Sequence, residues 1–483
     1  MVGPDYHRPR VDMPAGWVSP TASTVASTQP SVAVVQPTPD IATWWSTFND
    51  ATLESLVRRA LESNFDLRIA ASRVRQARLA RRVAASGLYP AVDASGSYRR
   101  TGTGRGANRS ADGVERDLYQ AGLDASWEID IFGGTRRGVE ASEADYRAAV
   151  EDRRDVQVTL ASEVALNYLD YRSLQRELTI SRDNLVTQQQ SLDVTRRRLK
   201  AGFESGLDVA NAEATVAGTE SQIPLQEAAL RQVLYTLSVL LGQEPGALLE
   251  ELSAEAPIPS APPEVPVGLP SDLLRRRPDI RRAEAQLHAA TARVGVAVAD
   301  LYPRFSLNGG LGAAGGDIHS ITNHNFFTWS IGPSFRWPLF AGGRLRANVA
   351  IQNEAQEQAL LNYRATILQA LQEVEGALVA FVAEQQHRRS LVTAVEASRR
   401  AVDLSQRLYS QGEIEFVTVL VAQRGLYSSE DALVQSDRNV AQNLVSLYKA
   451  LGGGWEEGDV ERASAGREPA PAPPVPPATQ PSP

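Results

Sequence analysis

The chain has 483 residues, with 57 acidic against 49 basic side chains, a formal net charge of −8 and a pI near 5.4. That balance excludes the basic stripe of a nucleic-acid binder. The absence of cysteine excludes a disulfide framework, a thiolate nucleophile and any cysteine-based zinc or iron–sulfur site.

The first twenty residues, MVGPDYHRPRVDMPAGWVSP, lack a basic region followed by an apolar one and do not read as a signal peptide. No run of about 18 apolar residues occurs, so no bilayer-spanning helix is expected. Together these predict a cytosolic chain, or one whose numbering starts after a removed leader. Proline comes in blocks and is absent between Pro90 and Pro224 and between Pro338 and Pro469. Such gaps permit very long helices, whereas the proline-rich blocks read as extended linkers. The expected organisation is an extended segment over 1–47, a first repeat over 48–255, a linker over 256–267, a second repeat over 268–455, and a disordered tail over 456–483.

The repeat is read directly from the residues. Asp66–Pro90 aligns without gaps on Asp279–Pro303, matching Asp66/Asp279, Arg68/Arg281 and the triplets Leu88-Tyr89-Pro90 and Leu301-Tyr302-Pro303. Leu192–Gly242 aligns on Val402–Gly452, including Gly202/Gly412. In each copy a helix ends at Leu-Tyr-Pro, a strand pair follows (about 91–132 and 304–340), and a very long helix runs over Gly134–Ala201 or Gly343–Gln411. At 1.5 Å per residue each would be about 100 Å long. A glycine break at Gly202 or Gly412 precedes one more long helix.

The strand pairs alternate. Phe327, Trp329, Ile331, Phe335, Trp337 and Leu339 are apolar, whereas Thr328, Ser330, Gly332, Ser334 and Arg336 are small or polar. In the first copy Tyr119, Ala121, Leu123, Ala125 and Trp127 alternate with Gln120, Gly122, Asp124, Ser126 and Glu128, and Asp130 continues the polar series. A half-buried soluble sheet has this pattern too. Here, however, the hairpins are the only sheet material in a helical chain, and strands this long with terminal aromatics suit a transmembrane barrel and its aromatic girdle. Pro333 suggests a bulge. Four strands cannot close, and lipid does not tolerate an open edge. A homotrimer would supply twelve strands around a lumen. The expected fold is mainly α, with a membrane β-barrel and a long coiled-coil α-barrel. Asp124, Glu128, Asp130 and Arg336 would line the lumen, and Tyr119, Trp127, Phe327, Trp329 and Trp337 would form the girdle. The acids would favour cations modestly, or simply keep the wall wet.

Catalytic signals are weak. Gly310, Gly312 and Gly315 match G-x-G-x-x-G but lead into a loop rather than a helix. His319 and His324 share that loop without a carboxylate or thiol framework, and His7, His288 and His387 are scattered. No enzyme, cofactor or metal is expected.

The duplicated plan, the segments Ile131–Arg137 and Leu339–Arg346, and the opening Val-Gly-Pro-Asp-Tyr-His-Arg-Pro resemble the TolC-like outer-membrane factors, in particular the OprM/NodT-type lipoprotein branch. The resemblance covers residues 2–455. It implies a homotrimeric, passive exit duct of an RND-type tripartite efflux system in the outer membrane, extending into the periplasm. Outer-membrane lipid, a periplasmic adaptor and an inner-membrane transporter would be its partners, with no nucleic acid. The branch usually opens after a lipid-modified cysteine; with no cysteine here, Met1 would follow that residue or the anchor has been removed. The adaptor would touch Gly202 and Gly412. Val417 and Val421 fall in the family's aperture segment, and Asp208 and Tyr409 where gating contacts occur. Val421 stands where an aspartate is frequent and Ile414 where some TolC-like members carry arginine, so an apolar ring closing by dewetting is expected in place of a polar lock. A type I protein-secretion duct is the near alternative, and a coiled-coil scaffold the more distant one.

Overall fold

The computed structural model describes residues 1–18, 32–34, 41–102, 115–260, 265–267, 270–319 and 327–456. The tail beyond Glu456, residues 19–31 and 35–40, part of the linker and His324 lie outside the described residues. In chain order the elements are β1 (Val32–Val34), a 3-10 turn (Trp44–Phe48), α1 (Ala51–Ser63), α2 (Phe65–Ser86), β2 (Ala91–Gly102), β3 (Glu115–Ile129), α3 (Gly134–Lys200), α4 (Gly206–Leu240), β4 (Val265–Val267), a second 3-10 turn (Pro270–Asp272), α5 (Leu273–Arg276), α6 (Pro278–Ala299), β5 (Arg304–Gly315), β6 (Phe327–Arg336), α7 (Arg344–Gln411) and α8 (Phe416–Ala450). The proline-free stretches become α3 and α7, of 67 and 68 residues. One window of α7 is long and apolar enough by composition to cross a membrane, contrary to the sequence expectation. Its apolar residues divide at helical spacing into buried Ile367, Ala370, Val374, Leu378 and Phe381 and exposed Leu368 and Val379, the pattern of a helix with one packed face.

Two packing units each draw on both repeats. One comprises Met1–Val11, Arg73–Glu151 and Asp279–Ile367; the other comprises Asp12–Ser72, Asp152–Pro278 and Leu368–Pro483.

The first unit holds an antiparallel sheet of order β2-β3-β5-β6, so the two hairpins join through β3 and β5. The register puts Tyr98, Tyr119, Leu123, Trp127, Leu311, Trp329 and Ile331 on one face, and Asp93, Asp124, Glu128, Ser306, Ser330 and Arg336 on the other. Apolar side chains on the first face are open to the surroundings: Trp329 is 77% exposed and Ile331 68%. The expected bulge at Pro333 is absent. Register continues one for one through Leu307–Pro333, because an edge strand accepts a proline whose nitrogen faces away from its partner. Gly312 of the dinucleotide-like motif has a packing reason. Gly312 lies opposite Gly122, and a Cβ on either would come within 3.0–3.1 Å of a backbone carbonyl oxygen of the neighbouring strand. Both Leu-Tyr-Pro triplets anchor a tryptophan. Trp127 Nε1 donates to the Leu88 carbonyl (3.0 Å) and Trp337 Nε1 to that of Leu301 (3.1 Å).

Residues 1–11 are strapped to this unit. Gly3, at φ +83°, lies so close to Gly295 that a Cβ would come within 2.5 Å of its Cα. Arg137 is almost fully buried and donates to Asp5 (2.5 Å), Glu140 (2.7 Å) and the Val2 carbonyl (3.3 Å). Its guanidinium holds the Asp5 carboxyl below the usual range. The Tyr6 ring stacks on His288 at 4.3 Å, and His288 Nε2 lies 2.9 Å from Glu140.

In the second unit, β1 pairs with β4 in parallel. Asp50 caps α1 and also accepts from Tyr168 Oη (2.8 Å), which in turn accepts from Arg172 Nε (3.1 Å). Arg172 reaches on to the Ala254 carbonyl (2.8 Å) and so ties the start of the linker to α3. Trp455 lies under Arg154 at 4.3 Å and donates to the Arg276 carbonyl (3.0 Å).

Candidate functional site

The α3–α4 and α7–α8 turns lie in the second unit and share a backbone solution. Gly202 and Gly412 adopt φ +80° and +79°, a left-handed conformation that costs glycine nothing. Phe203 N donates to the Arg198 carbonyl and Gly202 N to that of Leu199; Glu413 N and Gly412 N repeat the pattern on Leu408 and Tyr409, all at 3.0 Å. Each turn is therefore a Schellman cap that satisfies the last helix carbonyls.

The helices that follow begin differently. Ser205 caps α4 in a reciprocal box with Asp208. The Asp208 carboxylate accepts from Ser205 N–H (3.3 Å) and Oγ–H (2.6 Å), and Asp208 N–H donates back to Ser205 Oγ (3.3 Å). At α8 the corresponding residue is Glu415, which makes no side-chain capping bond.

Between the turns lies an apolar cluster of Leu192, Ala212, Val216, Tyr409, Phe416, Val419 and Leu420, with Ile414 packed at its edge. Burial of Phe416, Val419 and Leu420 forces Val417 and Val421, one helical turn apart, onto the opposite face. They are 45% and 63% exposed. Val417 has Leu207, also exposed, as its counterpart in the first repeat. Phe203 stands exposed beside Gly202.

Tyr409 is buried rather than facing outward, and Asp208 is held in its own capping box; the two do not form a shared contact. Burial, with Glu204 adding, pushes the Tyr409 hydroxyl up to about 12. What holds Tyr409 is Arg198, which sequence reading missed. Its guanidinium carbon sits 4.5 Å over the ring, Nη1 donates to the Tyr409 carbonyl (3.1 Å), and Nε lies 3.1 Å from Glu204. Among the described residues this is a direct latch between the ends of α3 and α7.

On the polar sheet face Asp124 accepts from Ser95 Oγ (3.1 Å) and pairs in register with Asp93, an acid that the parity of β2 could have revealed. Glu128 lies 3.9 Å from Arg304, which stands opposite Arg336. Arginines thus share this face with the acids. Asp130 lies beyond β3 and accepts from Arg136 N–H (2.8 Å) and Nε (3.2 Å) at the start of α3. Of the proposed girdle, Trp127, Phe327, Trp329 and Trp337 are exposed, and Tyr119 packs against Tyr98 at 4.7 Å. No group of three or more metal-capable side chains occurs among the described residues.

Comparison with known proteins gives this geometry a setting. The model of the outer membrane efflux protein family matches residues 56–243 and 269–453, once per repeat. The pyoverdine export outer membrane protein OpmQ of Pseudomonas aeruginosa is 37% identical over 86% of this chain and 88% of its own. The toluene efflux pump outer membrane protein TtgI of Pseudomonas putida is 34% identical over 94% and 95%. Among solved structures, the outer-membrane channel OprN aligns with a TM-score of 0.85 at 36% identity, covering 94% of this chain and 99% of its own. The open-state MtrE channel of Neisseria gonorrhoeae aligns with a TM-score of 0.80 at 27% identity over 94% and 98%. Matched in both repeats and along nearly its whole described length, the chain belongs to the outer membrane efflux protein family.

Proposed function

We propose that three copies of this chain close their sheets into one twelve-stranded barrel and act as the passive outer-membrane exit duct of an RND-type tripartite efflux pump. The observation that carries this is the open four-stranded sheet, apolar and exposed on one face, with unpaired edges β2 and β6. Water would not favour that face and lipid would not tolerate those edges, whereas trimeric closure resolves both. Asp93, Asp124, Glu128 and Arg336 then line the lumen, and Trp127, Phe327, Trp329, Trp337 and Tyr119 meet the lipid boundary.

The turns are the working end. Gly202 and Gly412 fix the tips that a periplasmic adaptor contacts, with Phe203 and Leu207 offering apolar surface beside the first. Val417 and Val421 from three chains form a ring that excludes water when narrow. Adaptor engagement widens the ring, and the inner-membrane transporter supplies the energy. Export of small compounds is favoured over polypeptide secretion, because the relatives are named for pyoverdine and toluene. Replacing Val417 and Val421 together with serine should raise single-channel conductance in planar bilayers. Unchanged conductance from a folded trimer would reject the ring.

A further inference from the structure

Within the second unit, α3 and α8 run antiparallel and meet through a series of polar contacts about 30 Å long. Gln442 Nε2 donates to Asp170 (2.8 Å), and Arg438 lies 3.7 Å from the same carboxylate. The Ser181 and Tyr427 hydroxyls share a hydrogen bond (3.2 Å), and Gln423 Nε2 donates to Ser191 Oγ (3.0 Å). Such a seam parts at less cost than an apolar one, because water replaces each hydrogen bond it breaks.

Charge is unbalanced at one place along it. Glu177 of α3 and Asp431 of α8 join Asp170 around Arg438, so three carboxylates share one guanidinium. All four side chains are half-buried, and Arg438 Nε has no hydrogen-bond partner. Ser173 Oγ donates to Glu177 (3.1 Å) and Gln435 to Asp431 (2.9 Å), but neither brings charge. Neighbouring ions are engaged elsewhere. On the α7 side Arg388 pairs with Asp437, Arg399 pairs with Glu430 (2.8 Å), and Glu384 accepts from Ser436. On the α4 side Arg182 pairs with Glu227 (2.7 Å); Arg176 lies 3.9 Å from Glu255, and Arg172 turns to Tyr168 and the Ala254 carbonyl. Burial holds the carboxyls of Asp170, Glu177 and Asp431 above their ordinary range, and Arg438 offsets this only in part.

The repeat shows that this charge is not a general property of the long helices. The gap-free alignment puts Ser221 and Ala228 of α4 where α8 has Asp431 and Arg438. The ions therefore sit on the helix that carries Val417 and Val421, and its copy has uncharged residues at both places. Val417 and Val421 do not titrate, so a response of the ring to acid has to come from elsewhere in α8.

We infer that the α3–α8 seam is a proton-operated clamp. With Asp170, Glu177 and Asp431 ionised it is loose; protonated, it fastens α8 to α3 and keeps the Val417–Val421 ring narrow. The link to the ring rests on the duct reading above, whereas the clamp itself lies within one chain. Two effects act in the same direction. Protonation removes repulsion among the carboxylates, and it turns a carboxyl from an acceptor into a donor that can bond its neighbour across the seam. The carboxyls bind protons more tightly while clamped than when the parted helices return them to water. The added stability of the clamped arrangement is therefore fully present at acid pH and is lost as pH rises through the raised values. A carboxyl whose pKa is about one unit higher when clamped favours that arrangement about tenfold once protonated.

The test uses the full chain in planar bilayers, with open probability read apart from unitary conductance, which the lumen acids also influence. Open probability of the wild type should fall about tenfold between about pH 7.5 and about pH 5. Glu177→Gln combined with Asp431→Asn imitates the protonated seam and should hold open probability low at both. Arg438→Gln leaves the carboxylates without a counter-charge and should raise it at neutral pH. Amide exchange over residues 427–442, corrected for the intrinsic rate, reads the clamp without a channel. Protection there should rise about tenfold on acidification in the wild type and be high at both pH values in the double variant. Wild-type protection that ignores pH, or a double variant that titrates like wild type, overturns the clamp. Protection that switches while open probability does not overturns the link to the ring. Switching protection in a chain that forms neither trimer nor channel overturns the duct and leaves the clamp standing.

Discussion

Replacing Arg198 with alanine removes the latch between the ends of α3 and α7. Two contacts to Tyr409 are lost, the guanidinium face over its ring at 4.5 Å and the Nη1 bond to its carbonyl at 3.1 Å, together with the local Nε–Glu204 ion pair at 3.1 Å, which does not join the two helices. A partly shielded cation–π contact contributes about 1 kcal/mol, and a charged donor on a carbonyl about 1–3 kcal/mol. If the latch exists only in the closed arrangement, each protomer loses about 2–4 kcal/mol of closed-state preference, a shift of roughly 30- to 700-fold. Open probability in planar bilayers should therefore rise sharply. Arg198→Lys, which keeps the charge and one donor but not the planar stack, should fall between wild type and alanine. Tyr409→Phe should shift gating far less than Arg198→Ala, because the ring and carbonyl that Arg198 engages are both kept. The reasoning fails if folded Arg198→Ala trimers gate like wild type, or if Tyr409→Phe opens the channel as strongly as Arg198→Ala.

Ser205→Ala removes the α4 capping box and should cost about 1 kcal/mol locally, seen as roughly fivefold faster amide exchange at residues 206–209; unaltered exchange would show that the box is idle. Gly3→Ala forces a side chain onto Gly295 from a left-handed backbone and should release the strap, exposing the Arg10–Val11 bond to trypsin. Continued resistance would contradict the packing. Burial, with Asp431 adding, raises the Glu177 pKa, so its contribution is fully present below the unfolded value of about 4.3 and is lost as pH rises through the folded value. Glu177→Gln should thus raise the melting temperature at pH 7 and flatten the acid-side pH dependence. A lower melting temperature at pH 7 would reverse that sign.

Features written in short-range pattern were readable in the sequence. Proline-free spans gave α3 and α7, alternation gave the strands, and the gap-free repeat gave the glycine turns. A membrane barrel escaped the search for apolar runs because its hydrophobicity occupies every second residue. The Arg198–Tyr409 latch was not readable, since its partners are 211 positions apart and Arg198 sits in an unremarkable run of arginines. The strap of residues 1–11 was missed for the same reason: its value lies in Arg137, His288 and Gly295, none of which signals an N-terminal neighbour. The Ser205–Asp208 box is the exception, because its Ser-x-x-Asp spacing was locally visible.

The unequal starts of α4 and α8 bear on how a duplicated chain acquires a moving part. Two copies of one turn begin interchangeable, and any loosening of both would leave the conduit without a fixed wall. Here Ser205 and Asp208 hold one copy by reciprocal hydrogen bonds, while the other, with no capping bond from Glu415, is held by the burial of Phe416, Val419 and Leu420. The two copies of one turn are therefore held by different forces, polar at one and apolar at the other, so a substitution that weakens one start leaves the other's support untouched.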